Sequence, residues 1–234
     1  MESKPGTLSD PAPVRRSKRR TATAALLAAV AVACALAALI AAGVIKVPGP
    51  FGGPSAPVAT DLNGKPAQLE EGEGLSAAQR EQQKATAAGL GRLQVPSVGL
   101  DVPLGQVNAV GGVLVPPGFT SAYQVRNLGV PLSRADSGTV YVVMHSLRNG
   151  GVGPGNYLFD VSSGASRVHV GDEVTAGDHR YRVDGTQKVL KSALSRDRDI
   201  WTAAPGRLTL ITCLQRPTGG PSVDNFIVTA QLVS

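Results

Sequence analysis

Residues 91–234 are predicted to form an all-β domain, either a barrel or a sandwich. Short segments there alternate between apolar and polar residues, glycine and proline separate them, and no strong amphipathic helix lies among them. The chain contains 28 glycines and 17 prolines, which suit the many turns of such a domain. The predicted strands, in chain order, are Arg92–Pro96, Val98–Leu104, Gly112–Pro117, Thr139–His145, Glu173–Ala176, His179–Leu190, Leu208–Cys213 and Asn225–Val233.

The segment Leu208–Cys213 has the clearest strand pattern, and it ends in a cysteine. Leucine residues alternate with threonine and isoleucine along it, which is the period of two expected for a strand. A loop rich in proline and glycine follows at residues 214–221. The chain has only one other cysteine, Cys34, which lies in an apolar run near the N-terminus, so no disulfide framework is predicted.

The N-terminal residues predict a membrane anchor. Residues 1–20 hold six lysines and arginines against two acidic residues, and residues 21–45 carry no charge. A helix over that apolar run would be roughly 37 Å long, more than the ~30 Å hydrocarbon core of a bilayer. The basic flank places the N-terminus in the cytoplasm. We therefore expect a cytoplasmic tail at residues 1–20, a transmembrane signal anchor at residues 21–46 and an extracellular remainder.

Two other interpretations of the apolar run stay open. A cleaved signal peptide normally has a shorter apolar core of roughly 7–15 residues. A lipoprotein signal ending at Cys34 would leave further apolar residues after the cysteine. From residue 47 onward the net charge is close to zero, although the whole chain has +6. The charge therefore gives no reason to expect a nucleic-acid partner.

Residues 47–90 are predicted to be a linker rich in proline, glycine and alanine. Ser76 and Gln79 have the spacing of a capping box, which predicts a helix over 77–88 that ends before Gly89. The helix has little apolar surface, so we interpret it as a solvated spacer.

A histidine and a cysteine occupy equivalent positions, each where a predicted core strand meets a loop. His145 ends one of these strands and Cys213 ends another. If the two strands are neighbours, the imidazole and the thiol meet at one rim. Imidazole can activate a thiol, which is mostly protonated at neutral pH. A purely structural cysteine is the alternative, and His169 and His179 are expected to be exposed residues at turns.

Several motifs resemble those of sortases, the cysteine transpeptidases of Gram-positive cell walls, and most closely those of class F. The residues Thr209–Cys213 match the TLxTC signature, and His145 falls where sortases carry their catalytic histidine. The resemblance covers about residues 91–233 and includes the segments 93–103, 114–117, 170–174 and 224–230. It implies an eight-stranded β-barrel with short helices in its loops, preceded here by the single transmembrane helix.

The resemblance also assigns the site residues. Cys213 would be the nucleophile, and His145 would manage the proton transfers. The family's catalytic arginine normally stands where this chain has Val223, so we hypothesise that Arg216, in the loop after the cysteine, donates to the oxyanion. A solvated Arg216, with Asn225 or backbone amides in that role, is the alternative.

Two further residues are expected to bind substrate together with Asn225. They are Thr212, beside the nucleophile, and Trp201, in the loop 191–206 that precedes the cysteine strand. For Trp201 a packed loop aromatic is the alternative to a groove residue. The sequence around the histidine, Met144–Leu147, also departs from the Gly-His-Val-Asp usual in class F.

The resemblance implies a membrane-anchored enzyme. It would cleave an LPxTG-like sorting signal of secreted proteins between threonine and glycine, and join the acyl product to a cell-wall amine. We expect no cofactor and no metal, since no acidic cluster suited to calcium is seen. The alternative is a sortase-shaped peptide-binding module or pseudoenzyme, which the replacement by Val223 favours. A papain-like protease is disfavoured because the histidine precedes the cysteine in the chain.

Overall fold

A closed barrel of eight strands forms the body of the computed structural model, which describes residues 59–67 and 74–233. Numbered in chain order, the strands are β1 (Arg92–Val95), β2 (Leu100–Val107), β3 (Ala122–Gly129), β4 (Thr139–Val143), β5 (Glu173–Ala176), β6 (His179–Leu190), β7 (Arg207–Leu214) and β8 (Asp224–Leu232). Around the barrel they are arranged in the order β1-β2-β3-β4-β7-β8-β6-β5. The prediction of an all-β barrel with eight strands is confirmed.

Short helices occupy the loops, as expected. The α-helices are α1 (Ala77–Gln83), α2 (Lys191–Leu194) and α3 (Arg198–Trp201). Short 3₁₀ helices lie at Pro96–Val98, Leu132–Ser137 and Pro154–Tyr157.

One predicted strand is wrong and one strand was missed. The segment Gly112–Pro117 is not a strand, because Gly111 and Gly112 both have positive φ and turn the chain back between Val110 and Val113. The missed strand is β3, in which four consecutive residues, 122–125, are buried and the third of them is a glutamine. This run lacks the alternation that a half-buried strand shows, so periodicity did not reveal it.

Two apolar clusters lie on the two faces of the barrel wall. In β7 the leucines 208, 210 and 214 belong to the interior core. Ile211, which points the other way, packs in a second cluster with Tyr141 and Ile200, and Trp201 lies against that cluster. The loop 191–206 thus covers the outer face of the barrel where β4, β7 and β8 adjoin.

Strands β4 and β7 are neighbours and run parallel, from Thr139 opposite Arg207 to Val143 opposite Ile211. Parallel neighbours end at the same edge of a sheet. The residues that follow β4 and those that end β7 therefore share one rim of the barrel.

Residues before 91 contact the barrel. The capping box of Ser76 and Gln79 is present, but α1 ends at Gln83, five residues earlier than predicted. The Gln83 side chain is buried, and its Nε2 donates to the carbonyl of Val115 at 2.6 Å. The interpretation as a solvated spacer is therefore wrong for the end of this helix, because an amide side chain with a buried partner anchors it.

No helix within the described ranges is long and apolar enough to span a membrane. The predicted anchor at residues 21–46 and the predicted tail at residues 1–20 lie outside the described residues.

Asp61 fastens the segment 59–67 to the loop after β4. Its carboxylate accepts backbone hydrogen bonds from Val152 at 2.9 Å, Lys65 at 2.8 Å and Asn63 at 2.9 Å. These bonds, with that from Val152 contributing most, lower the pKa of Asp61 below its ordinary value of 3.8.

We predict that Asp61→Asn lowers the free energy of unfolding at neutral pH by an amount that shrinks as the solution is acidified. A depressed folded-state pKa stabilises the protein above the unfolded-state pKa, and that stabilisation is lost as the pH falls through the folded-state value. Denaturant unfolding between neutral pH and pH ~3 measures this difference. The control is Asp136→Asn, which removes the same charge from an exposed site. A difference between wild type and Asp61→Asn that does not change with pH would contradict the prediction.

Candidate active site

His145 and Cys213 meet at the rim shared by β4 and β7. The amide of Met144 donates to the carbonyl of Ile211 at 3.1 Å, which carries the parallel pairing one step beyond β4. His145 comes next on one strand, and Cys213 lies two residues after Ile211 on the other. Both line a single cavity of about 610 Å³. The two residues that the sequence predicts at one rim therefore line the same cavity.

Cys213 lies on the outer face of the barrel and is partly exposed. It stands opposite Asn225 of β8 and is not in a disulfide. Its neighbour Thr212 points to the other face and is 2% exposed, yet also contributes to the cavity lining. Because β7 lies between β4 and β8 in the barrel, its backbone is held on both sides, and the thiol is fixed at the cavity wall.

His145 is 5% exposed, and a carbonyl fixes its ring. Its Nε2 lies 2.8 Å from the carbonyl oxygen of Pro116. Because a carbonyl oxygen only accepts, the hydrogen bond requires the proton on Nε2. Nδ1 is then the basic nitrogen of the neutral ring. The ring also packs against Phe119, with centroids 4.9 Å apart.

A buried polar link ties the ends of β4 and β7 together. The Ser146 hydroxyl donates to the carbonyl of Cys213. Gln215 donates from Nε2 to the Ser146 carbonyl at 3.0 Å and to its hydroxyl oxygen at 3.1 Å. All of these groups lie on Cys213 itself or within two residues of the histidine or the cysteine, so the link sets the spacing of the two functional side chains.

Hydrogen bonds with residues 153–156 hold the loop after His145 in place. Asn156 accepts from the amides of Leu147 at 2.7 Å and Gly153 at 2.8 Å. The Gly155 amide donates to the His145 carbonyl at 2.8 Å. A Cβ on Gly155 would lie 2.0 Å from the Thr212 hydroxyl oxygen, so only glycine allows this loop to pack against the cysteine strand.

Three segments outside the barrel strands wall the cavity. They are the turn region 109–116, the start of α1 with the residues before it, and the loop containing α2 and α3. Trp201 lines the cavity, and it is also packed: its indole N–H donates to the Leu194 carbonyl at 2.6 Å, and its ring lies 5.1 Å from that of Tyr141. The two alternatives for Trp201 are therefore compatible, since packing on one side holds the ring at the cavity.

Five of the six predicted site residues line this cavity: His145, Trp201, Thr212, Cys213 and Asn225. The sixth, Arg216, is exposed in the loop after β7 and is not among the lining residues. Its carbonyl accepts from the Gly219 amide at 3.0 Å, which closes a turn there.

Several residues of the site were missed by sequence reasoning. Pro116 supplies a backbone carbonyl, which leaves no signal in a sequence. Ser146 follows His145 directly and Gln215 lies two residues after Cys213, and that closeness in sequence was the available signal. Lys191 also lines the cavity, as the first residue of the loop 191–206 that contains Trp201.

The other histidines lie away from the cavity. His169 is exposed after a buried valine, and His179 begins β6 at the hairpin. Among residues 59–67 and 74–233, no group of three or more His, Cys, Asp or Glu side chains is placed to hold a metal ion.

We predict that Ser146→Ala lowers the free energy of unfolding by about 1–3 kcal/mol, because it leaves the Cys213 carbonyl without this buried donor. Chemical denaturation followed by fluorescence measures it. Ser192→Ala, at an exposed position in α2, is the matched control and should unfold like wild type. Equal stability of the two variants would show that the link contributes nothing.

No protein-family model matches the sequence, and no curated protein matches it. Solved structures similar to the chain are sortases of classes A and C. Sortase A of Listeria monocytogenes is 19% identical, with 64% of this chain and 89% of that chain covered and a TM-score of 0.44. Sortase C1 of Streptococcus agalactiae is 19% identical over 68% and 78% of the two chains, with a TM-score of 0.44. A lid mutant of sortase A from Corynebacterium diphtheriae is 17% identical over 61% and 69%, with a TM-score of 0.41.

Proposed function

We propose that the protein is a sortase-type cysteine transpeptidase. The observation that carries this proposal is the presence of the Cys213 thiol and the His145 imidazole in the wall of one cavity, held there by two parallel strands. A nucleophile beside a base, with a cavity for the acyl group, is the arrangement that acyl transfer requires.

In the first half-reaction the basic Nδ1 of His145 takes the proton of the Cys213 thiol. The sulfur then bonds to the carbonyl carbon of the scissile peptide. As the tetrahedral intermediate collapses, the C–N bond breaks and the imidazolium returns its proton to the leaving amine. A thioester on Cys213 remains. In the second half-reaction an amine attacks the thioester carbon, loses a proton to the imidazole and releases the sulfur.

The cavity suits an extended, partly apolar peptide. Its volume of about 610 Å³ is within the range of roughly 300–1,000 Å³ usual for ligand sites. Leucines 114, 128 and 194 contribute apolar surface. On the basis of the motif resemblance, we propose that the substrate is an LPxTG-like sorting signal, cleaved between threonine and glycine, and that a cell-wall amine accepts the acyl group.

Three residues are proposed to bind this peptide. Thr212 is among the lining residues, and its buried hydroxyl has no hydrogen-bond partner within the described part of the chain. A peptide group of the substrate can supply the hydrogen bond that this buried hydroxyl lacks. Trp201 offers a ring fixed by its indole bond, and Asn225 offers a side-chain amide opposite the nucleophile. For Arg216 to act as oxyanion donor, its loop would have to bring the guanidinium to the cavity.

The proposals for the sortase class and for the cellular location rest on the sequence. We propose that the protein belongs to the class F branch and that residues 21–46 anchor it in the cell membrane of a Gram-positive organism. The N-terminus would be cytoplasmic, and the barrel would meet secreted substrates outside the cell.

A peptide-binding module or pseudoenzyme is the second candidate. It is favoured by Val223, which is 49% exposed at the position where the resemblance would place a catalytic arginine. A thiol-reactive sorting-signal analogue separates the candidates: an adduct on Cys213 at neutral pH supports the enzyme, and binding without an adduct supports the module.

We predict that the purified protein transfers the N-terminal part of an LPxTG-like peptide to an added amine. Cys213→Ala should abolish transfer because the bond-forming atom is gone. His145→Ala should lower kcat/KM by about 10²–10⁴-fold, the range for loss of a general acid–base. Chromatographic separation of the transfer product measures both.

His169→Ala, which removes an exposed imidazole far from the cavity lining, is the matched control and should retain full activity. Transfer that survives Cys213→Ala would overturn the proposed mechanism. Absence of transfer with every peptide in a panel of LPxTG-like sequences would favour the binding module.

A further inference from the structure

The cavity contains a cation that the mechanism above does not use. Of the described residues that line it, Lys191 is the only lysine or arginine, and neither aspartate nor glutamate is among them. The titratable side chains of the lining are therefore His145, Lys191 and Cys213. The lining therefore favours negative charge that develops at the cysteine, because it contains a lysine and no acidic residue.

Strand register aligns Lys191 with the nucleophile. Cys213 of β7 stands opposite Asn225 of β8, and Asn225 stands opposite Val189 of β6. Directly opposed residues of antiparallel strands point to the same face, so these three side chains share the outer face of the barrel. Val189 and Ile211 belong to the same apolar cluster, which agrees with this assignment.

Lys191 follows on that face. Its amide donates to the Val223 carbonyl at 2.9 Å, which continues the pairing of β6 with β8 by one residue beyond Leu190 and Asp224. Residue 191 is therefore the cross-strand neighbour of residue 223. The position that lacks the expected arginine has a lysine beside it.

The separation suits a long side chain. Two strand spacings separate Cys213 from Val189, and Lys191 lies two residues further along the chain, which places the Lys191 Cα roughly 12 Å from the Cys213 Cα. The flexible four-carbon stem of lysine covers about half of that separation. If the carbonyl that bonds to the cysteine sulfur directs its oxygen toward Lys191, the stem can bring the ammonium to it.

We propose that the Lys191 ammonium is the oxyanion donor of this site, a role that rests on the proposed transpeptidase function. The ammonium donates a hydrogen bond to the substrate carbonyl oxygen as the thiolate attacks, and it keeps its proton throughout. The same charge favours the thiolate before substrate binds. Lysine at 191 thereby compensates for valine at 223, and exposed Arg216 is not required.

Four variants of the full chain test the proposal. Lys191→Ala removes the charge, and Lys191→Arg keeps it. Arg216→Ala removes the rival cation. Lys188→Ala removes an exposed lysine of β6 that does not line the cavity. Equal thermal unfolding of the variants shows that the fold is intact.

The first readout is the rate of acyl-enzyme formation with an LPxTG-like peptide. Lys191→Ala should slow acylation by about 10²–10³-fold, the loss seen when one oxyanion donor is removed. Lys191→Arg should stay within about tenfold of wild type, and Arg216→Ala and Lys188→Ala should match wild type. Loss in Arg216→Ala with none in Lys191→Ala, or no rescue by Lys191→Arg, would overturn the proposal.

The second readout needs no peptide. Iodoacetamide alkylation of Cys213 is followed against pH, with peptide mapping to separate it from alkylation of Cys34. Lys191→Ala should shift the rise in rate to higher pH, and Lys191→Arg should not. If the wild-type protein is alkylated but never acylated, the proposed function is overturned. The pH profile of alkylation still decides the role of Lys191. An unchanged profile in Lys191→Ala would refute that role.

Discussion

The candidate site depends on the parallel pairing of β4 and β7. The histidine and the cysteine lie far apart in the chain, and each stands at the end of a strand whose interior is apolar. Because the two strands are adjacent and run in the same direction, their ends meet at one rim. The Ser146 bond to the Cys213 carbonyl then fixes their spacing. An antiparallel or non-adjacent arrangement of the same strands would place the two side chains at opposite ends of the barrel or apart on the rim.

A backbone dipole and a side-chain charge both act on the residues at this rim. A backbone carbonyl at Pro116 selects the tautomer of His145 without adding a charge. Lys191 directly follows β6 and lines the cavity, and its amide donates to the carbonyl of Val223. Under the proposed function, Lys191 can take the oxyanion role that the motif resemblance gives to an arginine at position 223, since cross-strand neighbours reach the same space.

Local patterns were enough to predict much of the barrel and the two central residues. The alternation in β7 and the Gly177–Asp178 turn between β5 and β6 are local features, and both were confirmed. Strand β3 was missed because a buried glutamine interrupts its pattern. Lys191 and the Pro116 carbonyl were missed because their roles arise from cross-strand register and loop closure, which join residues distant in sequence.

The central claim is that Cys213 carries an acyl group taken from a peptide. Its most direct test is intact-protein mass spectrometry after rapid acid quench of the protein with an LPxTG-like peptide, followed by mapping of the modified residue. The expected result is a mass increase equal to the peptide's acyl fragment, located on Cys213, with release of the C-terminal fragment. An unmodified protein beside intact peptide, or an acyl group located on any other residue, would contradict it.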